Sequence, residues 1–311
     1  MRLIVSGSLA YDRIMEFEGK FEDHILPDKL HMLNVSFPVK GVRERFGGTA
    51  GNIAYNLALL GRKPLIVASA GTDFERYRRR LDDLGLPLEG IRQVPEEPTA
   101  CAYIVTDRNN NQITAFNAGA MQVAAGCAFA PPPDADTLAI VSPGNLDDML
   151  ACSRYYKKHA IAHIFDPGQA IPILSAGHLR ELTDGARLLI CNAYELGMIQ
   201  QKTGLDEDAL LQRTTALIIT RGQDGSVLHS GSGVHTIGTG KPRRVADPTG
   251  AGDAYRAGLL AGLAREKSLL ESACMGACCA SFAVEETGTQ EHRFSIEAFE
   301  DRLRDHFGVF L

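Results

Sequence analysis

Two glycines and an aspartate stand where a helical pattern begins near the carboxyl end of the chain. The stretch DPTGAGDAYRAG covers residues 247–258, and further apolar residues follow it at helical spacing. Small residues let a backbone approach a ligand closely, and the first N–H groups of a helix have no partners within it. Together with the helix dipole, the amides of Gly250, Ala251 and Gly252 are expected to bind an anion such as phosphate.

Asp253 directly follows this predicted anion site. A carboxylate beside a phosphate is electrostatically unfavourable unless it has a chemical role. The natural role is to accept the proton of a hydroxyl that attacks the phosphate. Asp253 could instead be a simple helix N-cap, but a cap does not need a preceding Gly-Ala-Gly. We therefore predict phosphoryl transfer, with Asp253 as the general base.

A second glycine cluster lies where another strand leads into a helix. In FGGTAGNIAYNLALLG, Gly47 and Gly48 would let a substrate touch the backbone, and Asn52 offers a donor and an acceptor. Such turns are common, so an ordinary connection explains this cluster equally well. Asp12 follows the first strand and could be a solvated turn residue. Its position favours a carboxylate that accepts hydrogen bonds from substrate hydroxyls.

Two more groups of polar residues and glycines follow predicted strands. Asn192 and Glu195 lie three residues apart and so face the same way on a helical turn, which suits a hydrated Mg²⁺. A surface helix start explains this pair equally well. Thr220, Gly222 and Gly225 follow the strand ALIIT and could form either a turn between strands or a wall beside a nucleotide.

Bulk properties exclude several functional classes. The 311 residues carry a net charge of −6, and the dense basic run at residues 76–80 is interpreted as the solvated face of a short helix, so no nucleic-acid partner is expected. No apolar stretch could span a membrane, and the amino-terminal segment is too short and polar for a signal peptide, which favours a cytoplasmic protein. The seven cysteines lack a metal-site spacing and are expected in the core. Neither a P-loop nor a dinucleotide-binding motif is present.

Strand-length apolar runs alternate with helical patterns along most of the chain. This alternation indicates parallel βαβ units. We therefore predict one α/β domain over residues 1–311, a three-layer α/β/α sandwich around a mostly parallel central sheet. Residues 12–46 and 97–117 break the pattern with alternating runs and a hairpin that turns at residues 109–111. We predict that these insertions form a small β-sheet lid that closes over a cleft and excludes water.

Taken together, these motifs resemble those of the ribokinase (PfkB) family of carbohydrate and nucleoside kinases. GGTAGNIAYNLALLGRKPLIVASAG is similar to the amino-terminal signature of that family, DPTGAGDAYRAGLL to its carboxyl-terminal signature, and NAYE to its NxxE motif. The resemblance extends over essentially the whole chain. Within the family, GSLAYDRIMEFEGKF, LPDKLHMLNVSF, NAGAM and ETGTQE resemble bacterial adenosine kinases.

This resemblance implies ATP-dependent phosphorylation of a nucleoside 5′-hydroxyl, with adenosine as the first candidate. It assigns Asp253 as the base beside an anion hole at Gly250, Ala251 and Gly252. The residues that it places near the substrate are Ser8, Asp12, Ser36, Gly47, Gly48, Asn52, Phe116 and Gln169. Those that it places near ATP are Asn192, Thr220, Gly222 and Gly225, with Glu195 holding Mg²⁺ through water.

The identity of the acceptor stays open at this stage. Ala102 stands where a base-stacking aromatic is expected, although Tyr103 is adjacent, and Gln169 is followed by Ala170 instead of a second glutamine. The alternatives within the family are therefore a kinase of another nucleoside and a sugar kinase of the ribose or fructose type. A non-catalytic nucleotide-binding regulator is the alternative from another class, and the presence of Asp253 beside an intact glycine run argues against it.

Two further expectations concern ions and assembly. Many members of the family need K⁺, and Asp247 is expected to be either a structural residue or part of a K⁺ site with the backbone near Thr249 and Gly288. An exposed edge of the lid sheet permits a homodimer through the lid.

Overall fold

A computed structural model describes residues 1–25, 31–32, 34–109, 111–126 and 136–311. The strands are β1 (Arg2–Ser6), β2 (Ala10–Phe17), β3 (Val39–Gly47), β4 (Leu65–Ala70), β5 (Ile91–Gln93), β6 (Ala100–Thr106), β7 (Gln112–Asn117), β8 (Thr137–Val141), β9 (Ala162–Phe165), β10 (Leu188–Asn192), β11 (Ala216–Thr220), β12 (Ser226–Ser230) and β13 (Gly233–Ile237). The helices are α1 (Thr49–Leu59), α2 (Glu75–Asp83), α3 (Leu146–Lys158), α4 (Ala176–Thr183), α5 (Ala193–Thr203), α6 (Glu207–Leu211), α7 (Ala251–Leu263), α8 (Leu269–Ala283) and α9 (Ile296–Phe307).

The large sheet of the described residues has nine strands in the order β13-β12-β11-β10-β9-β8-β1-β4-β5. From β11 to β5 neighbouring strands are parallel, whereas β12 and β13 add to one edge in antiparallel fashion. The chain leaves the central strand β1 toward β4 on one side and returns to β8 on the other. In such sheets ligands bind at the carboxyl ends of the strands, where the strand order reverses. The carboxyl ends of β1 and β8 therefore mark the expected cleft.

Helices cover both faces of the large sheet because its central strands are apolar on both sides. In β1, Leu3 and Val5 belong to one core and Ile4 to the other, and β8, β10 and β11 alternate in the same way. Helices α1, α2, α7, α8 and α9 complete the first core, and α3 to α6 complete the second. The predicted three-layer sandwich around a mostly parallel sheet is confirmed.

A separate small sheet has the strand order β3-β2-β6-β7. Only residues 7–9 separate β1 from β2, and β3 leads directly into α1, so the small sheet lies at the carboxyl edge of the large one. β6 and β7 form the predicted hairpin. Of the predicted lid and turn, residues 26–30, 33 and 110 lie outside the described part of the chain. Within the first insertion, residues 31–39 read HMLNVSFPV and alternate polar with apolar residues, but of those that the structure describes only Val39 lies in a strand.

Glycines allow α7 and α8 to pack closely. A Cβ atom on Gly258 would lie 2.3 Å from the carbonyl oxygen of Met275, and one on Gly262 would lie 2.8 Å from Ser272. From the other side, a Cβ atom on Gly276 would lie 2.8 Å from the carbonyl oxygen of Tyr255. These contacts hold α7, and therefore its amino terminus, in a fixed position beside the sheet.

Three expectations about surfaces and cysteines can be compared with the fold. The basic run lies on α2 as predicted, with Arg76, Arg78 and Arg79 exposed beside acidic partners and Tyr77 buried. The six cysteines within the described residues are buried, and no cluster of three or more His, Cys, Asp or Glu side chains that could hold a metal ion occurs there. No helix in the described part of the chain has the length and apolar composition of a membrane span.

Candidate active site

The amino terminus of α7 has the geometry of an anion site. Gly250 has a φ of 81°, a left-handed conformation that favours glycine, and a Cβ atom there would lie 3.0 Å from the Thr289 side chain. The N–H of Ala251 donates to the carbonyl of Pro248, so this amide is already engaged. The N–H groups of Gly252 and Asp253 follow in the first turn, where a helix provides no acceptor. Of the three predicted donors, Gly250, Ala251 and Gly252, the Ala251 amide is thus engaged within the protein, and the binding of an anion at this turn stays a prediction.

Asp253 faces Asn52 across the cleft. The Nδ2 of Asn52 donates to Oδ2 of Asp253 at 2.8 Å, which joins the amino-terminal turns of α1 and α7. Burial raises the pKa of Asp253 to about 7, although the Asn52 hydrogen bond and the Arg256 guanidinium both lower it. The nearby carboxylates of Asp166 and Asp12 raise it further. A carboxylate with a pKa near neutrality is well suited to accept a proton at physiological pH.

A buried ion pair that sequence reasoning missed lies behind Asp253. The Arg256 guanidinium donates to both carboxylate oxygens of Asp166, at 2.5 and 2.6 Å, and both side chains are buried. Arg256 also donates to the carbonyl of Gly252 at 3.0 Å. The pair thereby connects α7 to the carboxyl end of β9. The available signal was the sequence FDPG directly after a buried strand, where a carboxylate at the sheet edge is expected.

Asp12 lies on the face of the small sheet that carries Gly47. A Cβ atom on Gly47 would lie 2.5 Å from the Asp12 carboxylate, so glycine at position 47 makes room for this side chain. Burial, and then the neighbouring carboxylate of Asp247, raises the pKa of Asp12 to about 6. A pKa raised in this way is typical of a carboxylate at a binding site, where it accepts hydrogen bonds from a ligand.

The strand register decides which aromatic residue shares a face with Asp12. Asp12 pairs with Ala102 on β6, and Ala102 pairs with Phe116 on β7, so these three form one row across the sheet. Phe116 is exposed at the end of that row. Tyr103 points to the opposite face, where its hydroxyl accepts a hydrogen bond from Arg13. Tyr103 therefore does not replace the aromatic missing at position 102.

Ser8 and Gly48 shape the start of α1. The Oγ of Ser8 accepts a hydrogen bond from the N–H of Thr49 at 3.0 Å, and Ser8 is buried. Gly48 has a φ of 86°, and a Cβ atom there would lie 2.6 Å from the backbone of Ala10. These contacts give Ser8 a role in fixing the helix start, and its predicted contact with substrate stays a prediction.

The structure does not bring Ser36 to this group. Ser36 is exposed, and its neighbour Phe37 packs against Phe17 at the end of β2 remote from the cleft, five residues beyond Asp12. Gln169 is exposed in a short 3₁₀ turn that follows Asp166, at the carboxyl edge of the large sheet. The substrate roles of Ser36 and Gln169 stay predictions.

Asn192 and Glu195 form a reciprocal capping box at the start of α5. The N–H of Glu195 donates to Asn192 Oδ1 at 2.8 Å, and the N–H of Asn192 donates to Glu195 Oε2 at 2.7 Å. Burial raises the pKa of Glu195. The capping box does not use Glu195 Oε1, so this oxygen fits the predicted contact with a water of a hydrated Mg²⁺, an ion that takes few protein ligands.

The predicted nucleotide residues lie at the same edge. Thr220 ends β11 directly opposite Asn192 on β10. Gly222 begins the short 3₁₀ turn that leads to β12, with a φ of 57°. Gly225 has a φ of 80°, and a Cβ atom there would lie 2.1 Å from the carbonyl oxygen of Ile237. The glycines thus satisfy turn geometry, and their contact with a nucleotide stays a prediction.

Asp247 ties two loops together. Its Oδ1 accepts a hydrogen bond from the N–H of Thr249 at 2.9 Å, and its Oδ2 accepts one from the N–H of Gly288 at 3.0 Å. These bonds give Asp247 the structural role that the sequence analysis left open. Both oxygens retain lone pairs, so the alternative, a K⁺ site formed with the backbone near Thr249 and Gly288, stays a prediction.

Similarity to known proteins extends over most of the chain. The model of the pfkB family of carbohydrate kinases matches residues 10–294. A nucleoside kinase of Methanocaldococcus jannaschii is 33% identical over 277 residues, which cover 88% of this chain and 90% of that protein. The structure of a Burkholderia thailandensis nucleoside kinase in complex with inosine has a TM-score of 0.89 and 36% identity, and covers 99% of each chain. The structure of that kinase in complex with ADP-inosine has a TM-score of 0.85 and 38% identity, with coverage of 99% and 97%.

Proposed function

The chain belongs to the pfkB family of carbohydrate kinases, and from this premise we propose that it transfers the γ-phosphoryl group of ATP to the 5′-hydroxyl of a nucleoside. The observation that carries the proposal is the position of Asp253. Its carboxylate lies in the first turn of α7, beside helix N–H groups suited to a phosphate, and is held by Asn52 from α1.

The residues around Asp253 suit the separate requirements of this reaction. Asp253 accepts the proton of the attacking hydroxyl, and the amides at the start of α7 stabilise charge on the transferring group. Mg²⁺, when bound near Glu195, would neutralise phosphate charge. Asn192, Thr220 and Gly222 line the edge of the sheet on which ATP would lie. The small sheet would cover the cleft and exclude water that could otherwise hydrolyse ATP.

The small sheet supports a nucleoside rather than a free sugar as acceptor. Asp12 offers a carboxylate to ribose hydroxyls, and the row that it shares with Ala102 leads to the exposed ring of Phe116. Two strand spacings separate Asp12 from Phe116, about 10 Å, which leaves room for a base beyond the ribose. The named relatives are nucleoside kinases, one of them solved with inosine.

Adenosine and inosine are the two acceptors that we propose to test first. Adenosine follows from the sequence motifs, and inosine is favoured by its presence in the Burkholderia thailandensis relative. The cytoplasmic location, the K⁺ requirement and a homodimer through the small sheet stay predictions.

A substrate panel with coupled detection of ADP tests the proposal. We expect ATP- and Mg²⁺-dependent ADP release with adenosine, inosine or both, and at least about tenfold lower kcat/KM with ribose or fructose, because free sugars forgo the contact with Phe116. Activity on ribose without activity on any nucleoside would instead establish the sugar kinase. Absence of ADP release with every acceptor would favour a non-catalytic regulator.

A further inference from the structure

A continuous chain of hydrogen bonds lies behind Asp253. The Tyr77 hydroxyl donates to the carbonyl oxygen of Gly47 at 2.8 Å. The Gln290 Nε2 donates both to the Tyr77 hydroxyl, at 2.8 Å, and to Asn52 Oδ1, at 3.1 Å. Asn52 Nδ2 then donates to Asp253 at 2.8 Å. The side chains of Tyr77, Gln290 and Asn52 are buried, so water does not replace these bonds.

The direction of this chain is fixed at its first member. A backbone carbonyl can only accept, so the Tyr77 O–H must donate to Gly47 and its oxygen must accept from Gln290. The group of Gln290 that faces Tyr77 is therefore Nε2, whose second hydrogen goes to Asn52. Asn52 in turn presents Oδ1 to Gln290 and is left with Nδ2 toward Asp253. Donor–acceptor logic alone thus fixes the orientation of the Asn52 amide.

Two further observations indicate that the surrounding structure is adapted to this chain of hydrogen bonds. Gly51 makes room for the Tyr77 hydroxyl, because a Cβ atom at position 51 would lie 1.9 Å from that oxygen. Within the described residues, Gln290 Oε1 is buried without a hydrogen-bond partner. Gln290 therefore leaves its Oε1 without a hydrogen bond while its Nε2 makes two. Because an unsatisfied buried acceptor lowers stability, this arrangement indicates that the two bonds donated by Nε2 have a function.

We propose that Gln290 is a positioning residue for phosphoryl transfer: through Asn52 it holds a hydrogen-bond donor against Asp253, so that Asp253 faces the attacking hydroxyl as an acceptor. The inference deepens the proposed function and rests on it for the role of Asp253 as the base. The reversed chain would present Asn52 Oδ1 to Asp253 and favour a protonated carboxyl. It would also remove the Tyr77 donor from Gly47.

Charged side chains of the described residues affect the pKa of Asp253 from three places. They are Arg256 on its own helix, Asp166 after β9 and Asp12 on β2. Arg256 is already held by Asp166, and neither contacts Gln290 or Tyr77 in the hydrogen bonds described above. Substitutions at positions 290 and 77 therefore change the orientation of Asn52 while these charges stay in place.

The test is the pH dependence of kcat/KM in Gln290→Met. Methionine preserves the size of the side chain but donates no hydrogen bond, so Asn52 can turn its Oδ1 toward a protonated Asp253 and stabilise it. In the wild type, kcat/KM should fall below a pH of about 7, where Asp253 becomes protonated. In Gln290→Met this limb should move upward by about one pH unit, since one hydrogen bond now favours the protonated form. The plateau at high pH should stay within about threefold of the wild type, because Asp253 is ionised there in both proteins.

Tyr77→Phe and Tyr55→Phe form a matched pair. Each removes one buried hydroxyl that donates to a backbone carbonyl, Gly47 for Tyr77 and His292 for Tyr55. Only Tyr77 belongs to the chain that reaches Asp253. Tyr77→Phe should move the limb upward, by less than Gln290→Met, and Tyr55→Phe should leave it at the wild-type pH. If Gln290→Met does not fold, Tyr77→Phe decides the question.

Two outcomes would overturn the inference. One is a kcat/KM that falls at the same pH as in the wild type in the folded Gln290→Met variant, or in Tyr77→Phe if Gln290→Met does not fold. The other is an equal shift in Tyr55→Phe, which would indicate general loosening of the core. Titration of the Asp253 carboxyl by carbon-13 NMR in the ligand-free full chain separates these results from failure of the proposed function. A wild-type protein without kinase activity would refute the function, whereas an unchanged Asp253 titration in Gln290→Met would refute the positioning role.

Discussion

As the proposed general base, Asp253 has to meet three requirements that conflict in most protein environments. It must be desolvated enough to hold a proton near neutral pH, charged enough to accept one, and close to the amides that would bind a phosphate. Burial raises its pKa to about 7, while the Asn52 donor and the Arg256 guanidinium limit the rise. The buried Asp166 holds Arg256 by two hydrogen bonds, so that Arg256 acts at a fixed distance.

Replacement of Asp253 by asparagine tests the assigned chemistry directly. Asparagine is nearly isosteric and can still accept the hydrogen bond of Asn52, but it cannot take up a proton at neutral pH. We expect kcat to fall by at least about 10². The Kd for ATP, measured by calorimetry, should stay within a few-fold of the wild type. Near-normal turnover in this variant would refute the role of Asp253 as the base.

The sequence could indicate only those candidate site residues whose distinguishing features are local. Gly250 and Asp253 lie beside a helix start, and Asn52 follows two glycines, so spacing alone indicated them. Arg256 and Asp166 are 90 residues apart, and Gln290 is 238 residues from Asn52. No periodicity connects such residues, and their role depends on side-chain directions that only the fold determines.

At the scale of the secondary-structure elements, the position of α7 decides where Asp253, the proposed base, lies. Its amino terminus reaches the cleft because its glycines let the backbone of α8 approach. Asn52 and Asp253 join the amino-terminal ends of α1 and α7. The relative position of these two ends therefore depends on the contact between α7 and α8. Packing remote from the cleft thus controls its geometry.

Gly258→Ala and Gly197→Ala distinguish this packing from ordinary helix propensity. Both glycines lie inside helices, but a Cβ atom on Gly258 would meet the backbone of α8, and one on the exposed Gly197 in α5 would meet nothing within 4 Å. Gly258→Ala should lower the free energy of unfolding by about 1–3 kcal/mol and reduce kcat. Gly197→Ala should raise it by about 0.5–1 kcal/mol at unchanged kcat. Urea denaturation measures both, and equal behaviour of the two variants would contradict the assignment.

Elements with apolar sequences were easier to predict than those without. Buried strands such as β1 and β8 are almost entirely apolar, so their strand character is evident from composition. β3 reads VKGVRERFG and is largely exposed, so it is held by backbone pairing with β2 rather than by its side chains. An edge strand of this kind carries little hydrophobic signal, so its bounds are hard to predict from the sequence.

For the molecule as a whole, the buried titratable groups make opposite contributions to the pH dependence of the free energy of unfolding. Asp253 has a folded-state pKa above its ordinary value of 3.8, so its contribution is fully present below pH 3.8 and is lost as the pH rises through about 7. Burial lowers the pKa of His163 and of His292 to about 4. Their contribution is present above about pH 6.5 and is lost as the pH falls toward 4.

Asp253→Asn should therefore stabilise the protein at pH 8 and leave it unchanged at pH 4. The rise in pKa from 3.8 to about 7 corresponds to a ceiling of about 4 kcal/mol, and because Asp253 is only partly buried we expect about 2 kcal/mol. Urea denaturation of the ligand-free protein at both pH values provides the measurement. Asp224→Asn, at an exposed position, is the control and should leave the free energy of unfolding unchanged at both pH values. A gain at pH 4 as large as that at pH 8 would contradict this origin.

The separation of Asn52 from its partners also affects how the protein is made. A ribosome delivers about the first 250 residues before α7 exists, and Gln290 emerges later still. Until then the face of α1 that carries Ile53, Ala54 and Leu57, completely buried in the finished protein, lacks the helices that cover it. A nascent chain in this state exposes apolar surface and is prone to aggregate. Synthesis that stops just before α7 would therefore release a chain that has all thirteen strands of the described residues, an uncovered core and no Asp253.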